Sequence, residues 1–150
     1  MSKIKLTLEK FDSILNDLEI FDLNNWNKME IHHFDSLSDD ISIKEHRELF
    51  KNELLDKRGI YLYQNLKGDC LYVGKAKNLY DRVYSHFKEA YTPNESKGKV
   101  WNEFFKQHPG KLNLYWLEVE SSDDILRHFI ENRIADKFPP LFEISNPRLK

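Results

Sequence analysis

Gly59-Ile60-Tyr61-Leu62-Tyr63 and, after a polar stretch from Gln64 to Asp69, Cys70-Leu71-Tyr72-Val73-Gly74 decide the fold of this chain. Both runs are short, aromatic and β-branched, and the residues between them include Asn65 and Gly68, which suit a turn. The pair reads as a β-hairpin. Toward the carboxyl terminus, Asn78 can cap a helix that runs to about Tyr91, where Thr92-Pro93-Asn94 breaks it. A second helix is expected near Lys99 to Gln107, ended by His108-Pro109-Gly110. Leu112 to Val119 reads as a third strand. Ser121 with Asp124 makes a capping-box pattern for a helix that stops at Pro139-Pro140. The order ββααβα predicts an α+β fold: a small three-stranded antiparallel sheet flanked by helices.

Toward the amino terminus the period changes. Leu8, Phe11, Ile14, Leu15 and Leu18 fall at helical spacing with Thr7 as a cap, and Ser42 followed by Glu45 is a capping-box pattern ahead of Leu49, Phe50 and Leu54. Residues 20–41 mix Asn, Asp and Ser with Trp26, Ile31 and Phe34 and read as irregular. The expected organisation is therefore a mostly helical extension over residues 1–58 and a folded domain over residues 59–150.

The chain has 150 residues, the size of one domain or a small domain with an extension. No run of 18 apolar residues exists and the first residues carry mixed charge, so neither a membrane span nor a secretory signal is expected, and a cytoplasmic location is. Its single cysteine, Cys70, excludes an intrachain disulfide and a thiolate zinc cluster, leaving oxygen or imidazole to hold any metal. The net charge of −2 would discourage a nucleic-acid partner if it were uniform. It is not uniform. Residues 1–58 sum to −4 and residues 59–150 to +2, with residues 67–111 alone at +4.

Gly59-Ile60-Tyr61, ten residues, then Tyr72-Val73-Gly74 resembles the GIY-YIG nuclease family, named for two such tripeptides on adjacent strands. Val73-Gly74-Lys75-Ala76-Lys77-Asn78-Leu79 and Arg82-Val83 resemble the segment after the second tripeptide in the excision-repair branch of that family. Glu131, within Ile130-Glu131-Asn132-Arg133-Ile134, matches the family's metal-binding glutamate. The matching segments run in order from residue 59 to about residue 143. Histidine four residues after the arginine resembles the restriction-endonuclease members, since the repair branch usually has tyrosine there.

Hydrolysis of a phosphodiester needs an activated water, stabilised phosphoryl charge and relief of charge on the leaving oxygen. The resemblance implies that the Tyr61 and Tyr72 hydroxyls converge at the site. A free tyrosine has a pKa of about 10, so Tyr61 can act as a general base only beside a cation, and Lys75 is the candidate, its alternative being an ordinary turn lysine. Arg82 and His86 are four apart on one helix face. The forked guanidinium of Arg82 suits the scissile phosphate, and His86 could accept a proton or bond the phosphate, an exposed bystander being its alternative. Lys77, Asn78 and Arg82 are the expected DNA contacts. Glu131 shares a helix row with Ile134 and Phe138, so its carboxylate is either buried and paired or faces a cleft. One protein carboxylate, with water and phosphate completing the shell, suits a single Mg²⁺ or Mn²⁺ ion. Many family members have asparagine twelve residues after that glutamate; here Glu143 stands there, and Asn146 comes three residues later.

These residues make the chain a Mg²⁺-dependent DNA endonuclease by expectation, leaving 5′-phosphate and 3′-hydroxyl ends, in restriction, repair or mobile-element processing. The alternative is a nucleic-acid-binding or scaffold domain that has kept the fold and lost cleavage. Residues 1–58 would pack on the domain, form a homodimer or guide DNA. Other features read as structural. His32-His33 with Asp35 lack metal-ligand spacing. Trp101, Phe104 and Phe105 at helical spacing, with Trp116 and Cys70, read as core, and Lys97, Lys99, Lys106 and Lys111 as a phosphate-contacting strip or a solvated face.

Overall fold

The computed structural model describes residues 5–6, 21–33, 39–91, 100–108, 110–119 and 124–140. The expected Leu8–Leu18 helix, the side chains of His32, His33, Asp35, Lys97, Lys99, Glu143 and Asn146, and Ser121 lie outside the described residues. The hairpin forms as expected: β3 (Gly59–Gln64) pairs antiparallel with β4 (Cys70–Ala76). Asn65 closes the turn. Its side-chain oxygen accepts from the amides of Lys67 at 3.0 Å and Asp69 at 2.9 Å, an Asx-type closure, and Gly68 supplies the positive φ of 92°.

Beside β3 on its other edge lies β5 (Gly110–Val119), also antiparallel. The long β5 in turn carries two further strands on its far edge. β2 (Asn27–His33) pairs with it antiparallel and β1 (Lys5–Leu6) parallel, at Glu118 and Val119. Among the described residues the sheet therefore has five strands, not the three expected, and is antiparallel except for its two-residue β1. Residues 27–33, which fall in the stretch expected to be irregular, form a strand. The reason is local. Met29 and Ile31 alternate inward against Leu114 and Leu112, while Lys28 and Glu30 stay exposed, with Glu30 paired to Lys111 at 2.9 Å. An alternation this short, flanked by Asn and His, is weak as a sequence pattern, and it becomes a strand only because β5 extends far enough to receive it.

Two helical layers cover the sheet. On one face lie α1 (Asp39–Leu54), α2 (Leu79–Tyr91) and α3 (Val100–Gln107), and Phe50, Leu54, Val83, Phe87, Phe104 and Phe105 pack on Tyr61, Tyr63 and Tyr72. α1 begins at Asp39, so Ser42 sits inside its first turn instead of capping it. α4 (Asp124–Lys137) covers the other face, where Ile130 and Ile134 meet Trp26, Ile60, Leu62, Val73 and Leu117. Each of these fully buried aliphatic or aromatic side chains contributes roughly 1.5–3 kcal/mol by leaving water. Asn78 caps α2, its side-chain oxygen accepting from the Asp81 amide at 3.0 Å. Among the described residues no helix is long and apolar enough to cross a membrane.

Gly59 explains the first residue of the first tripeptide. Its φ is 155°, and a Cβ there would run into the Leu117 carbonyl and stand 2.9 Å from the Val119 amide. Both obstacles are backbone of β5, so only glycine lets β3 and β5 approach at this point.

Candidate active site

The site grows from strand parity. Tyr61 stands opposite Gly74 on β4 and Trp116 on β5, and Tyr63 opposite Tyr72 and Leu114. Successive residues alternate faces, so Tyr61, Tyr63, Tyr72 and Gly74 all point toward α2 and α3. Among the described residues β4 forms one edge of the sheet. Tyr61, one strand in, lays its ring toward that edge across Gly74. A Cβ at residue 74 would stand 2.5 Å from the Tyr61 hydroxyl oxygen and 2.7 Å from Cε1. The second glycine of the motif is thus required by a side chain, not by backbone conformation. In Gly74→Ala the ring must leave its place among Tyr63, Tyr72 and His86. Overpacking of this kind costs about 1–3 kcal/mol, read as a lowered denaturant midpoint, and an unchanged midpoint would contradict the close approach.

The α2 helix brings His86 to the same cluster. The Tyr61 ring lies 5.9 Å from both the Tyr72 and the His86 rings, centroid to centroid. His86 is only 6% exposed, so the bystander reading of a surface histidine fails. It stacks on Trp101 of α3 at 3.6 Å with 14° between the planes. Trp101, expected to be core, is buried in the core cluster and also touches this group of rings. Its helical spacing predicts an inward face but not which side chains that face meets.

Arg82 is exposed, one turn before His86 on α2, and its amide bonds the Asn78 carbonyl at 3.2 Å. Lys77 is exposed, and the Asn78 side chain is engaged as the cap. Lys75 comes directly after Gly74 and pairs with Ile60, whose side chain belongs to the α4 face. Strand alternation therefore directs Lys75 to the face opposite the Tyr61 ring, and its ammonium can approach the hydroxyl only around the edge of β4.

Glu131 is on α4, which packs over β4 and β3 from that opposite face. It is 6% exposed, with one oxygen 3.9 Å from Nδ1 of His128. Arg127, one turn earlier, is 1% exposed. Residues four apart share a helix face, so a buried guanidinium accompanies the buried carboxylate, a feature the sequence reading missed although the i, i+4 spacing was available to it. Tyr61 with His86 and Lys75 with Glu131 thus flank the same edge strand from its two sides.

Two neighbouring groups are unsuited to proton transfer. Complete burial pushes the Tyr63 hydroxyl well above the ordinary tyrosine range, and burial pushes the Cys70 thiol up to about 12, so both stay protonated at neutral pH. Among the described residues no three His, Cys, Asp or Glu side chains gather as a ready-made cage for a metal ion. The donor chemistry at Glu131 is a single hard carboxylate. That set fits an ion that keeps most of its shell as water and phosphate oxygen, as Mg²⁺ does, and does not fit a structural zinc site.

Comparison with known proteins agrees with the motif. The UvrC-like GIY-YIG domain matches residues 57–107, from just before β3 to the end of α3. The chain is 31% identical over 106 residues to the UvrABC system protein C of Bacteroides fragilis, covering 70% of this chain and 16% of that protein. It is 52% identical over 103 residues to the protein of the same name from Campylobacter jejuni, covering 68% and 16%. The chain thus spans about a sixth of the length of these curated relatives. Among solved structures, the GIY-YIG N-terminal endonuclease domain of UvrC from Thermotoga maritima, a point mutant bound to its catalytic divalent cation, aligns with a TM-score of 0.45 at 16% identity, over 73% of this chain and 100% of that one. With both tripeptides on paired strands, each glycine demanded by its neighbours, and the matched domain spanning both, residues 57–107 belong to the GIY-YIG nuclease family.

Proposed function

We propose that this chain is a metal-dependent DNA endonuclease that hydrolyses phosphodiester bonds to 5′-phosphate and 3′-hydroxyl ends, in a repair-type role like that of its relatives. The observation that carries the reading is the meeting of Tyr61, Tyr72 and His86 beside the bare Gly74 on an edge strand. A binding domain gains little from a tyrosine hydroxyl held against a glycine. A general base gains a fixed position from it.

In this mechanism the Tyr61 hydroxyl gives its own proton to a neutral His86 imidazole as it takes one from the attacking water. Tyr72 limits the motion of the Tyr61 ring. Arg82, exposed at the start of α2, grips the scissile phosphate with its fork, and Lys77 adds charge beside it, while Asn78 holds the helix end that carries them. Lys75, reaching around the edge of β4, lowers the cost of negative charge on the Tyr61 oxygen. Glu131 would hold one Mg²⁺ or Mn²⁺ ion, which when bound stabilises negative charge on the leaving 3′ oxygen. Residues 59–150 form the nuclease domain in this reading, and residues 1–58 an extension that adds strands to its sheet and packs α1 against α2.

The test is incubation of the purified chain with supercoiled plasmid and with branched DNA, in Mg²⁺ or in EDTA. Nicking in Mg²⁺ that a ligase can reseal is expected, with none in EDTA. Cleavage that persists in EDTA sinks the metal-dependent mechanism. DNA that is bound but never cut with any divalent ion makes this a binding domain that retains the fold.

A further inference from the structure

Four aromatic side chains close a ring of contacts on the α2–α3 face of the sheet. Tyr61 lies 5.9 Å from Tyr72 and 5.9 Å from His86. Trp101 completes the circuit, 3.6 Å from His86 at 14° and 4.9 Å from Tyr72 at 82°. The circuit draws one residue from each of β3, β4, α2 and α3. Three of the four can transfer protons or hydrogen-bond a substrate. The fourth is an indole whose face covers one group and whose ring meets the other nearly at a right angle.

We propose that Trp101 is a positioning residue for the reaction: its indole fixes the plane of the His86 imidazole and the tilt of the Tyr72 ring, so that both are set toward Tyr61 before DNA arrives. This rests on the reading of Tyr61 and His86 as proton-transfer groups. The physical argument is that a face-on contact restrains an imidazole differently from a carboxylate or carbonyl. Those partners hold a histidine through one of its ring nitrogens and so choose its tautomer. A stacked indole restrains the plane and itself consumes neither nitrogen. The perpendicular contact with Tyr72 is the favoured edge-to-face geometry of aromatic pairs. Trp101 itself is 8% exposed and is further walled by Phe104 at 5.1 Å and Tyr63 at 5.7 Å, so the clamp is itself held.

A purely structural tryptophan and a positioning one differ in what their loss does to His86. In isotope-labelled wild-type protein, the His86 ring proton signals, assigned by their disappearance in His86→Gln, should be moved upfield by the indole ring current, and Trp101→Leu should return them toward the free-histidine position. On supercoiled plasmid with Mg²⁺, Trp101→Leu should lower kcat about 10- to 100-fold with KM nearly unchanged, the size expected when a reacting group is misplaced by about an ångström. Trp101→Phe, which keeps an aromatic face, should recover most of that loss. In the His86→Gln background Trp101→Leu should cost clearly less than in the wild type, because only the share that acts through Tyr72 is left to lose. An unshifted His86 signal in the wild type overturns the proposal, as does an equal kcat loss in both backgrounds. If Trp101→Leu does not fold, the wild-type spectrum and the Trp101→Phe kinetics still decide it. If the wild-type protein cuts no DNA, the nuclease reading falls by itself, and the ring-current shift separately decides whether the indole holds His86.

Discussion

Tyr61→Phe should lower the rate of plasmid cleavage by about 100- to 10,000-fold, the contribution of a positioned general base, while leaving DNA affinity and the unfolding midpoint close to wild type. The ring is fully buried and boxed by Tyr63, Tyr72 and His86, and phenylalanine keeps that packing. Only the hydroxyl beside Gly74 is lost. The matched control is Tyr63→Phe. Its hydroxyl is buried among Trp101, Phe104 and Phe105 and finds no hydrogen-bond partner among the described residues. Removing a buried, unsatisfied hydroxyl relieves a desolvation cost of about 1–3 kcal/mol, so this variant should cut at the wild-type rate and unfold at the same or higher denaturant concentration. The two tyrosines differ by two positions on one strand and share a face, so any non-specific effect of losing a hydroxyl there appears in both. A Tyr61→Phe enzyme that cuts as fast as wild type assigns the base elsewhere, with His86 the nearest remaining candidate.

Glu131→Gln should reduce cleavage in Mg²⁺ to the level seen in EDTA, with the fold retained. The amide keeps the shape of the side chain against Ile130 and Ile134 and removes the charge a hard divalent ion needs. Metal-free DNA binding, monitored by fluorescence anisotropy in EDTA, should be equal in the two proteins. Glu131→Ala is a poorer test of the metal. Both substitutions remove the negative charge one turn from the buried Arg127, but glutamine keeps an acceptor oxygen and the side-chain volume, whereas alanine keeps neither. The alanine variant should therefore lose stability as well as activity, and the difference between its unfolding midpoint and that of the glutamine variant measures the structural share. Mg²⁺-dependent cutting that survives in Glu131→Gln at the wild-type rate would remove this carboxylate from the mechanism.

The electrostatic pattern also bears on substrate choice. The +4 balance of residues 67–111 coincides with Tyr72, Lys75, Arg82 and His86, yet it is small for a protein that holds DNA by charge alone. An excess of that size predicts weak, salt-sensitive non-specific affinity for DNA. Under the proposed function, selectivity then has to come from the site, from self-association or from residues 1–58.

The amino-acid sequence by itself determined the hairpin and the later helices and strand, and it named the candidate residues Tyr61, Tyr72, Arg82, His86 and Glu131. Those features are local: the short aromatic and β-branched runs in residues 59–64 and 70–76 and the Asn78 cap act within a few residues of themselves. Pairing across the chain was decided only in three dimensions. Asn27–His33 became a strand because β5 is long enough to receive it, and Trp101 met the His86 ring because α3 lies beside α2. Lys75, read as the cation beside Tyr61, was sent to the other face by a register that pairs Tyr61 with Gly74 and Ile60 with Lys75. Parity along a strand is written in the sequence, but which residue it opposes depends on the turn that joins the strands, and a shift of one residue exchanges the faces.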